Sequence, residues 1–225
     1  MENCCYFGKY FVTKEVAKDI NSDIIYIKSV KIIKLRIKNK KRGDNMIYTY
    51  KECIEKYKTD YEIRKHLASG KLKRVSRGVY SDDIYESDLA IISKSYPYAV
   101  FTMNSAFYFH GLTDTIPRSY YLMTDKDATK IKDERVYQFF DNHDSLALGV
   151  QTKNYCGTEI RIFTRERMLV ELIRNKNKFP FDYYKEIIAN YRKLIYELDI
   201  QAVQEYAIQL PKTKMVLDTL QLEVF

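Results

Sequence analysis

The spacing of apolar residues changes repeatedly along the 225-residue chain. Residues 49–69 show the three- and four-residue spacing of amphipathic helices, and residues 71–80 alternate as a pair of short strands does. Strand-like runs dominate residues 98–163, and helical spacing returns from residue 164 to the end. This order predicts an α+β fold, in which a small N-terminal unit precedes a mixed sheet followed by three or four helices.

Two helix starts lie ten residues apart near the beginning of this pattern. Thr49 with Glu52, and Thr59 with Glu62, each match the capping box. In that motif a threonine and a glutamate satisfy backbone N–H groups that a helix start leaves without partners. The first helix then has an apolar face composed of Tyr50, Cys53, Ile54 and Tyr57.

The second helix is predicted from Asp60 to Ser69. Gly70 is expected to end it, because glycine readily adopts the left-handed conformation found just beyond helices. Ile63 and Leu67 lie one turn apart and are expected to face inward. The opposite side carries Tyr61, Lys65 and Ser69, with Arg64 on the flank.

A basic hairpin follows this helix in the stretch "KLKRVSRGVY" at residues 71–80. Alternation places Leu72 and Arg74 on one face, and Lys71, Lys73 and Val75 on the other. Gly78 permits a positive φ, so Arg77 is expected at the tip of the turn. Two helices at a tight angle with a basic hairpin predict a winged helix-turn-helix over residues 47–81, whose second helix enters a DNA major groove.

The positive charge of the chain lies in its first third. The formal net charge is +8, and residues 47–80 carry nine basic and four acidic side chains. Residues 1–46 carry eleven basic and five acidic side chains, whereas residues 81–225 are net acidic. The plain explanation of so many basic residues in one stretch is a charged surface that is solvated. The concentration of charge beside one helix and one hairpin favours DNA binding instead.

Eight residues form the predicted DNA-binding site: Thr59, Tyr61, Arg64, Lys65, Lys71, Lys73, Arg74 and Arg77. The cations among them are expected mainly to hold phosphates, which position a protein on the duplex. Tyr61 and Lys65 are the expected readers of base edges. The predicted partner is therefore double-stranded DNA.

The residues from 86 onwards predict a second, larger α+β domain. Helices are predicted in "LAIISKSY" before Pro97 and in "MNSAFYFH" after a Thr102 cap, with the strand "YAVF" between them. Further strands are expected in "SYYLMT", "RVYQFFD", "LALGVQT" and "TEIRIFT", with a turn at residues 154–157. The C-terminal helices are predicted in "RERMLVELIR", "FDYYKEIIANYRKLIYEL", "IQAVQEYAIQL" and "KTKMVLDTLQLEVF".

Three of these stretches resemble landmarks of the AbiEi family, the antitoxins of type IV toxin–antitoxin and abortive-infection systems. They are "KLKRVSRGVYS", "NSAFYFHGLTD" and "RIFTRERMLVELIR", and the similarity extends from residue 47 to about residue 220. Arg165 stands where the family tends to have proline. The resemblance implies a bacterial phage-defence protein that represses its own operon by binding inverted repeats in the promoter. It also implies that the C-terminal domain counteracts a nucleotidyltransferase-like toxin without a stable complex.

The sequence does not indicate a catalytic constellation. Ser105, His110 and Asp114 are close in sequence, but five residues on one helix separate Ser105 from His110 by about 140°. The chain also lacks the Gly-x-Ser-x-Gly turn of α/β-hydrolases. Cys156 has no histidine nearby in sequence. We therefore expect His110 to be a core or helix-end histidine, and we expect no enzymatic activity, metal or cofactor.

A metal-dependent nuclease is the alternative function. Winged-helix modules are sometimes fused to nuclease domains, whose Mg²⁺ chemistry requires clustered carboxylates and a lysine. Glu159 lies on a predicted strand with Arg161 where a lysine is wanted, and Asp141 and Asp144 are candidate partners. A strand edge with solvated charges accounts for the same residues. A scaffold that contacts RNA is a third class, but the sequence contains no RNA-binding signature.

Residues 1–46 form an N-terminal extension with two interpretations. Their alternating apolar and basic residues fit a basic arm or strand that adds phosphate contacts. Alternatively, the extension is an artefact of start-site assignment. Residues 41–44 can be encoded by AAA-AGA-GGA-GAT, which contains a ribosome-binding core shortly before the codon of Met46. We expect translation to begin at Met46, and an intact-mass measurement of the native protein tests this.

The sequence predicts a cytoplasmic protein. The longest apolar candidate, residues 23–38, has a lysine or arginine every few positions and does not fit a membrane span. The N-terminus lacks the basic, apolar and small-residue order of a secretion signal. The four cysteines and three histidines are scattered without a Cys-x-x-Cys pair, so neither a disulfide framework nor a zinc site is expected.

Overall fold

The computed structural model describes residues 47–82 and 87–225, and the hypotheses about residues 1–46 concern a segment outside this part. The chain has the mixed α+β fold that the sequence predicts. It divides into two compact units, with the boundary between Ser95 and Tyr96.

The described part of the first unit is a three-stranded antiparallel sheet with helices. In chain order its elements are β1 (Ile47–Thr49), α1 (Tyr50–Tyr57), α2 (Asp60–Ala68), β2 (Lys73–Ser76), β3 (Val79–Ser81) and α3 (Asp88–Ser95). The strand order is β1-β3-β2, so β3 is central and β2 lies at an edge. The two predicted helices and the predicted hairpin are present, and β1 is an additional strand.

The caps of α1 and α2 differ in completeness. At α1 the Thr49 hydroxyl accepts from the Glu52 N–H, and the Glu52 carboxylate accepts from the Thr49 N–H at 2.7 Å, which completes the predicted box. At α2 the Thr59 hydroxyl accepts from the Glu62 N–H. The Glu62 carboxylate, however, lies 3.5 Å from Lys65 Nζ. The second box is therefore half formed, because an ion pair along the helix engages its glutamate.

Apolar side chains cover both faces of the small sheet. On one face Tyr80 packs in a cluster with Ile63 and Leu72, which joins the sheet to the helix pair α1–α2. On the other face Val79 packs with Ile91 of α3. Each such buried side chain contributes roughly 1.5–3 kcal/mol of hydrophobic stabilisation. The sheet therefore holds α2 and the hairpin together as one body.

Helix α3 belongs to the first unit because its apolar side lies against this sheet. Ile91 and Ile92 are buried, and Lys94 Nζ forms a 2.6 Å ion pair with Glu52 of α1. The boundary after Ser95 differs from the sequence prediction, which began the second domain at residue 86. The apolar pattern of α3 predicted the helix, but such a pattern does not specify the sheet on which the helix packs.

The second unit contains a five-stranded mixed sheet and a set of helices. Its elements are β4 (Val100–Phe101), α4 (Met103–Phe109), β5 (Tyr120–Asp125), β6 (Val136–Asp141), α5 (His143–Ala147), β7 (Val150–Tyr155), β8 (Thr158–Phe163), α6 (Arg165–Arg174), α7 (Phe181–Lys193), α8 (Ile200–Gln209) and α9 (Thr213–Glu223). The strand order is β6-β5-β4-β8-β7. Strand β4 pairs parallel with β8 and antiparallel with β5, so the sheet is mixed, as predicted.

Two local predictions in this unit are wrong. The predicted strand "LALGVQT" begins only at Val150, because its first residues end helix α5. The residues between the predicted strands "RVYQFFD" and "LALGVQT" do not form a simple loop, since His143 and Asp144 lie in the first turn of α5. The Asn142 side chain accepts from the Ser145 N–H at 2.8 Å and thereby caps this short helix. The asparagine cap prevails over the strand-like pattern that follows it.

Helix α6 lies at the centre of the second unit and packs against α4, α8 and α9. Its residues from Arg167 to Ile173 are all buried, so the helix is enclosed on every side. The helices of the described residues do not include one that is long and apolar enough to cross a bilayer.

Candidate nucleic-acid interface

Helix α2 presents its polar side to solvent. Ile63 is 1% exposed and Leu67 is partly buried, which defines the inward face of the helix. Tyr61 is 72% exposed, and Arg64 and Lys65 are exposed as well. The helical repeat therefore places these three predicted contact residues away from the core.

Arg64 and Lys65 of α2 each form an ion pair with an acidic residue of the same helix. Arg64 Nη2 lies 2.6 Å from Asp60 Oδ2, and Lys65 Nζ lies 3.5 Å from Glu62 Oε1. Such exposed pairs contribute about 0.2–0.5 kcal/mol each, so a phosphate can displace the carboxylates. In the protein alone, the carboxylates of Asp60 and Glu62 reduce the positive potential of α2.

The hairpin β2–β3 has the predicted turn. Residues 77 and 78 connect the two strands, and Arg77 is exposed there. Gly78 has a φ of +74°, a conformation that favours glycine over other residues. The turn therefore holds the Arg77 backbone at the tip of the hairpin.

The cations of strand β2 lie on different faces of the sheet. Arg74 pairs with Tyr80, and Lys73 pairs with Ser81, with an irregularity at Val75. Directly paired residues share a face, and successive residues alternate between faces. Since Tyr80 packs toward α1 and α2, Arg74 lies on the side of these helices, and Lys73 lies on the opposite side.

The eight residues predicted to contact DNA are all exposed: Thr59, Tyr61, Arg64, Lys65, Lys71, Lys73, Arg74 and Arg77. The four cations from Lys71 to Arg77 form no ion pair within residues 47–82 and 87–225. The hairpin and the residues leading into it thus carry four cations that are not neutralised by a neighbour among the described residues. We call these four cations the basic wing.

Two other lysines of this unit are engaged in internal contacts. Lys56 Nζ lies 2.6 Å from the Asp82 carboxylate and donates to the Tyr48 hydroxyl, which links α1 to β1. Burial lowers the pKa of Lys56, but the contacts with Asp82 and Tyr48 outweigh burial and raise it overall. Lys94 joins α3 to α1 through Glu52. These lysines therefore stabilise the scaffold that carries α2 and the basic wing.

The sequence pattern did not predict two features of this unit. Strand β1 pairs with β3, but its three residues are too few for periodicity to identify. Lys58 connects α1 to α2 with a φ of +71°. It is exposed, and it has no ion-pair partner in the described part of the chain. The usual sequence signal for a positive φ at such a position is glycine or asparagine, and a lysine does not provide it.

The residues considered for catalysis have structural contacts in the second unit. The Ser105 hydroxyl accepts from the Tyr121 N–H at 2.9 Å. His110 Nε2 donates to the Phe163 carbonyl at 2.7 Å, because a carbonyl only accepts. Burial lowers the pKa of His110 to about 4, against the opposing effect of this hydrogen bond. His110 is therefore a buried residue at a helix end, as expected.

The carboxylates considered for a nuclease lie far apart in the sheet. Asp141 ends β6 and Glu159 lies on β8, with β5 and β4 between these strands. Strand spacing separates β6 from β8 by about 14 Å, whereas oxygens that share one Mg²⁺ lie about 2.1 Å from it. Across residues 47–82 and 87–225, no group of three His, Cys, Asp or Glu side chains is placed to hold a metal ion. The geometry does not favour this alternative.

Comparison with known proteins identifies a similar fold and no family. The crystal structure of the RV2827C protein from Mycobacterium tuberculosis is similar with a TM-score of 0.58 at 12% sequence identity. The similarity covers 80% of this chain and 73% of that chain. No family model matches the sequence. No curated protein matches it either. The comparisons therefore establish a shared fold.

Proposed function

We propose that this protein is a sequence-specific DNA-binding repressor of its own operon and the antitoxin of a type IV toxin–antitoxin pair. The observation that carries the proposal is the basic wing, whose four cations lack ion-pair partners in the described residues. The wing joins a helix that exposes Tyr61, Arg64 and Lys65. Strand, helix, helix and hairpin follow each other as in a winged helix-turn-helix.

The wing and the helix α2 have different roles in this proposal. The unpaired cations of the wing bind phosphates and provide most of the affinity. Helix α2 enters the major groove, where Tyr61 near its N-terminus contacts base edges. Asp60 and Glu62 weaken the attraction of α2 for phosphates, and their carboxylates can accept a hydrogen bond from cytosine N4. Specificity thus resides in α2, and affinity resides in the wing.

The DNA-binding part is tested by fluorescence anisotropy on the full chain. A labelled duplex from the gene's own upstream region is compared with a shuffled duplex of the same composition. We expect at least about 1,000-fold tighter binding of the upstream duplex at physiological salt. Arg77→Glu is expected to weaken binding about tenfold or more, because it places a carboxylate against phosphate. Lys132→Glu makes the same charge change at an exposed site of the second unit and serves as the matched control.

Salt dependence separates a phosphate contact from a loss of folding. Arg74→Ala is expected to reduce the slope of log K against log salt concentration by about 0.9, the value for one lost phosphate contact. A folding defect would lower the fraction of active protein without changing this slope. Equal affinity for the upstream and the shuffled duplex would contradict the proposal.

The antitoxin part rests on the similarity of three sequence stretches to AbiEi proteins. It predicts a gene for a nucleotidyltransferase-like toxin immediately downstream and a cytoplasmic site of action. Coexpression of this protein is expected to restore growth that the toxin alone arrests. Growth arrest that persists despite coexpression would contradict this part and leave the DNA-binding part standing.

A further inference from the structure

Helix α7 contributes one continuous stripe of residues to an open depression on the second unit. The stripe consists of Phe181, Tyr184, Lys185, Ile188, Ala189 and Arg192. Its spacing of i, i+3, i+4, i+7, i+8 and i+11 is one side of a helix over three turns, about 16 Å long. The depression has a volume of about 700 Å³, and Lys176 and Glu223 of α9 belong to its other walls. We call it the α7 groove.

The α7 groove has an apolar floor and an apolar end. Tyr184 and Ile188 are buried and form the floor. Phe181 is 67% exposed at one end of the stripe. Ala189 is exposed in the middle, where its single methyl group leaves space. On α9, Leu222 is 81% exposed and lines a neighbouring depression that shares Lys176 and Glu223 with this groove. Exposed apolar surface next to a depression is typical of an interaction site.

Cations dominate the rim of the α7 groove. Lys185 Nζ lies 4.2 Å above the Phe181 ring, and Arg192 is exposed at the far end. The acidic residue of the lining is Glu223, whose carboxylate accepts from the Tyr184 hydroxyl at 2.7 Å. The same carboxylate lies 3.9 Å from Lys176 Nζ. The groove therefore presents net positive charge, whereas the second unit as a whole carries 17 basic and 17 acidic side chains.

We propose that the α7 groove binds an acidic amphipathic helix of a partner protein. A helix laid along the groove places apolar side chains at i, i+3, i+4 and i+7 over Phe181 and Ala189. Carboxylates on its flanks then meet Lys185 and Arg192. The inference is independent of the DNA-binding proposal, because all of these residues lie in the second unit.

Other occupants match the α7 groove less well. Residues 1–46 carry eleven basic and five acidic side chains, so this segment has the same sign of charge as the groove. A nucleic acid would place phosphates against the Glu223 carboxylate and against an apolar floor. An acidic helix with one apolar side can place its apolar residues on the apolar floor and its carboxylates next to the cations of the rim.

The test uses the full chain and a labelled synthetic peptide of about four helical turns. The peptide has leucines at i, i+3, i+4 and i+7 and glutamates on the flanking positions. We expect it to bind with a dissociation constant on the order of 10 μM. A peptide of the same composition in scrambled order is expected to bind at least about tenfold more weakly, because it lacks a continuous apolar side. A labelled oligothymidine is measured in parallel.

Two variants and one matched control locate the binding site. Ala189→Trp fills the groove from an exposed position, and Lys185→Glu reverses a rim charge. Each is expected to weaken peptide binding about tenfold. Lys193→Glu makes the same charge change at an exposed residue that does not line the groove, and it is expected to leave binding unchanged. Circular dichroism melting verifies that the variants remain folded.

Four results would overturn the inference. The first is that the amphipathic peptide does not bind measurably, and the second is that the scrambled peptide binds equally well. The third is that Ala189→Trp and Lys185→Glu leave the affinity for the peptide unchanged. The fourth is that oligothymidine competes with the peptide and that this competition depends on Ala189 and Lys185. The last result would identify a nucleic-acid site in place of a protein site.

Discussion

At the scale of single residues, buried polar groups in the second unit depend on specific partners. The Glu171 carboxylate lies 2.7 Å from Arg167 Nη2 and 2.6 Å from Arg174 Nη1, so two arginines share one acid. His110 is 7% exposed, and its side chain donates to a backbone carbonyl of β8. A buried group that must change its charge couples folding to pH, because burial disfavours the charged form.

His110 should make the folded protein less stable in mild acid. Its folded-state pKa of about 4 lies below its ordinary value of 6.5. Between these values the unfolded chain binds more protons than the folded chain, so stability falls as the pH falls through this window. The loss is at most about 3 kcal/mol in the free energy of unfolding. His110→Gln retains a donor for the Phe163 carbonyl and should flatten this part of the pH dependence.

Denaturant unfolding at a series of pH values between 4 and 7 measures this effect. His143→Gln is the control, because His143 is 87% exposed in its side chain. The prediction fails if His110→Gln and His143→Gln have the same pH profile.

At the scale of elements, the entry into β7 is packed closely against the start of α6. Gly149 has a φ of +66°. A Cβ at this position would lie 2.8 Å from the Arg167 Cβ of α6 and 3.2 Å from the Tyr206 Cζ of α8. The Gly149 carbonyl also accepts from the Thr164 N–H at 2.7 Å, directly before α6. Glycine is needed here for its conformation and for the space it leaves.

Gly149→Ala should be markedly more destabilising than Gly157→Ala. Both glycines have positive φ, which costs an alanine about 1–2 kcal/mol. A Cβ at Gly157 meets nothing within 4 Å, so only the conformational cost of the positive φ applies there. At Gly149 the clash with α6 adds about 1–3 kcal/mol. Thermal unfolding of the two variants measures the difference, and equal melting temperatures would contradict the close packing.

At the scale of the whole molecule, the net charge of the chain lies in the first of its two units. Residues 1–95, which include the basic wing and the exposed side of α2, carry 21 basic and 13 acidic side chains, whereas residues 96–225 carry 17 of each. Each unit has its own sheet, and among the described strands those of one sheet do not pair with those of the other. This organisation should allow the two proposed activities to be altered separately.

The proposed repression and antitoxin activities should therefore be separable by mutation. A Lys73→Glu and Arg77→Glu double variant is expected to lose repression of a promoter reporter about tenfold or more, because the wing then repels phosphates. The same variant should still restore growth in the presence of the toxin, since its substitutions lie in the first unit. Reporter expression and colony counts in one strain measure both effects. Loss of protection together with repression would contradict a division of labour.

The local prediction of this fold succeeded where a residue type has a local physical reason. Thr49 and Gly78 are examples, because a cap and a positive φ depend on a few neighbouring residues. It failed where two local signals competed, as at the Asn142 cap and the strand-like residues after it. It also missed Lys58, because nothing in a lysine indicates positive φ.

The sequence by itself determined the helix starts, the hairpin turn, the basic segment and the mixed α+β class, since periodicity, caps and charge act over short distances. Only the tertiary structure decided which partners the charges have. Arg64 and Lys65 are neutralised by neighbours, the cations of the basic wing are not, and Lys56 and Lys94 are engaged within the scaffold. The reason is that a charge can be assigned to binding or to stability only when the groups packed around it are known.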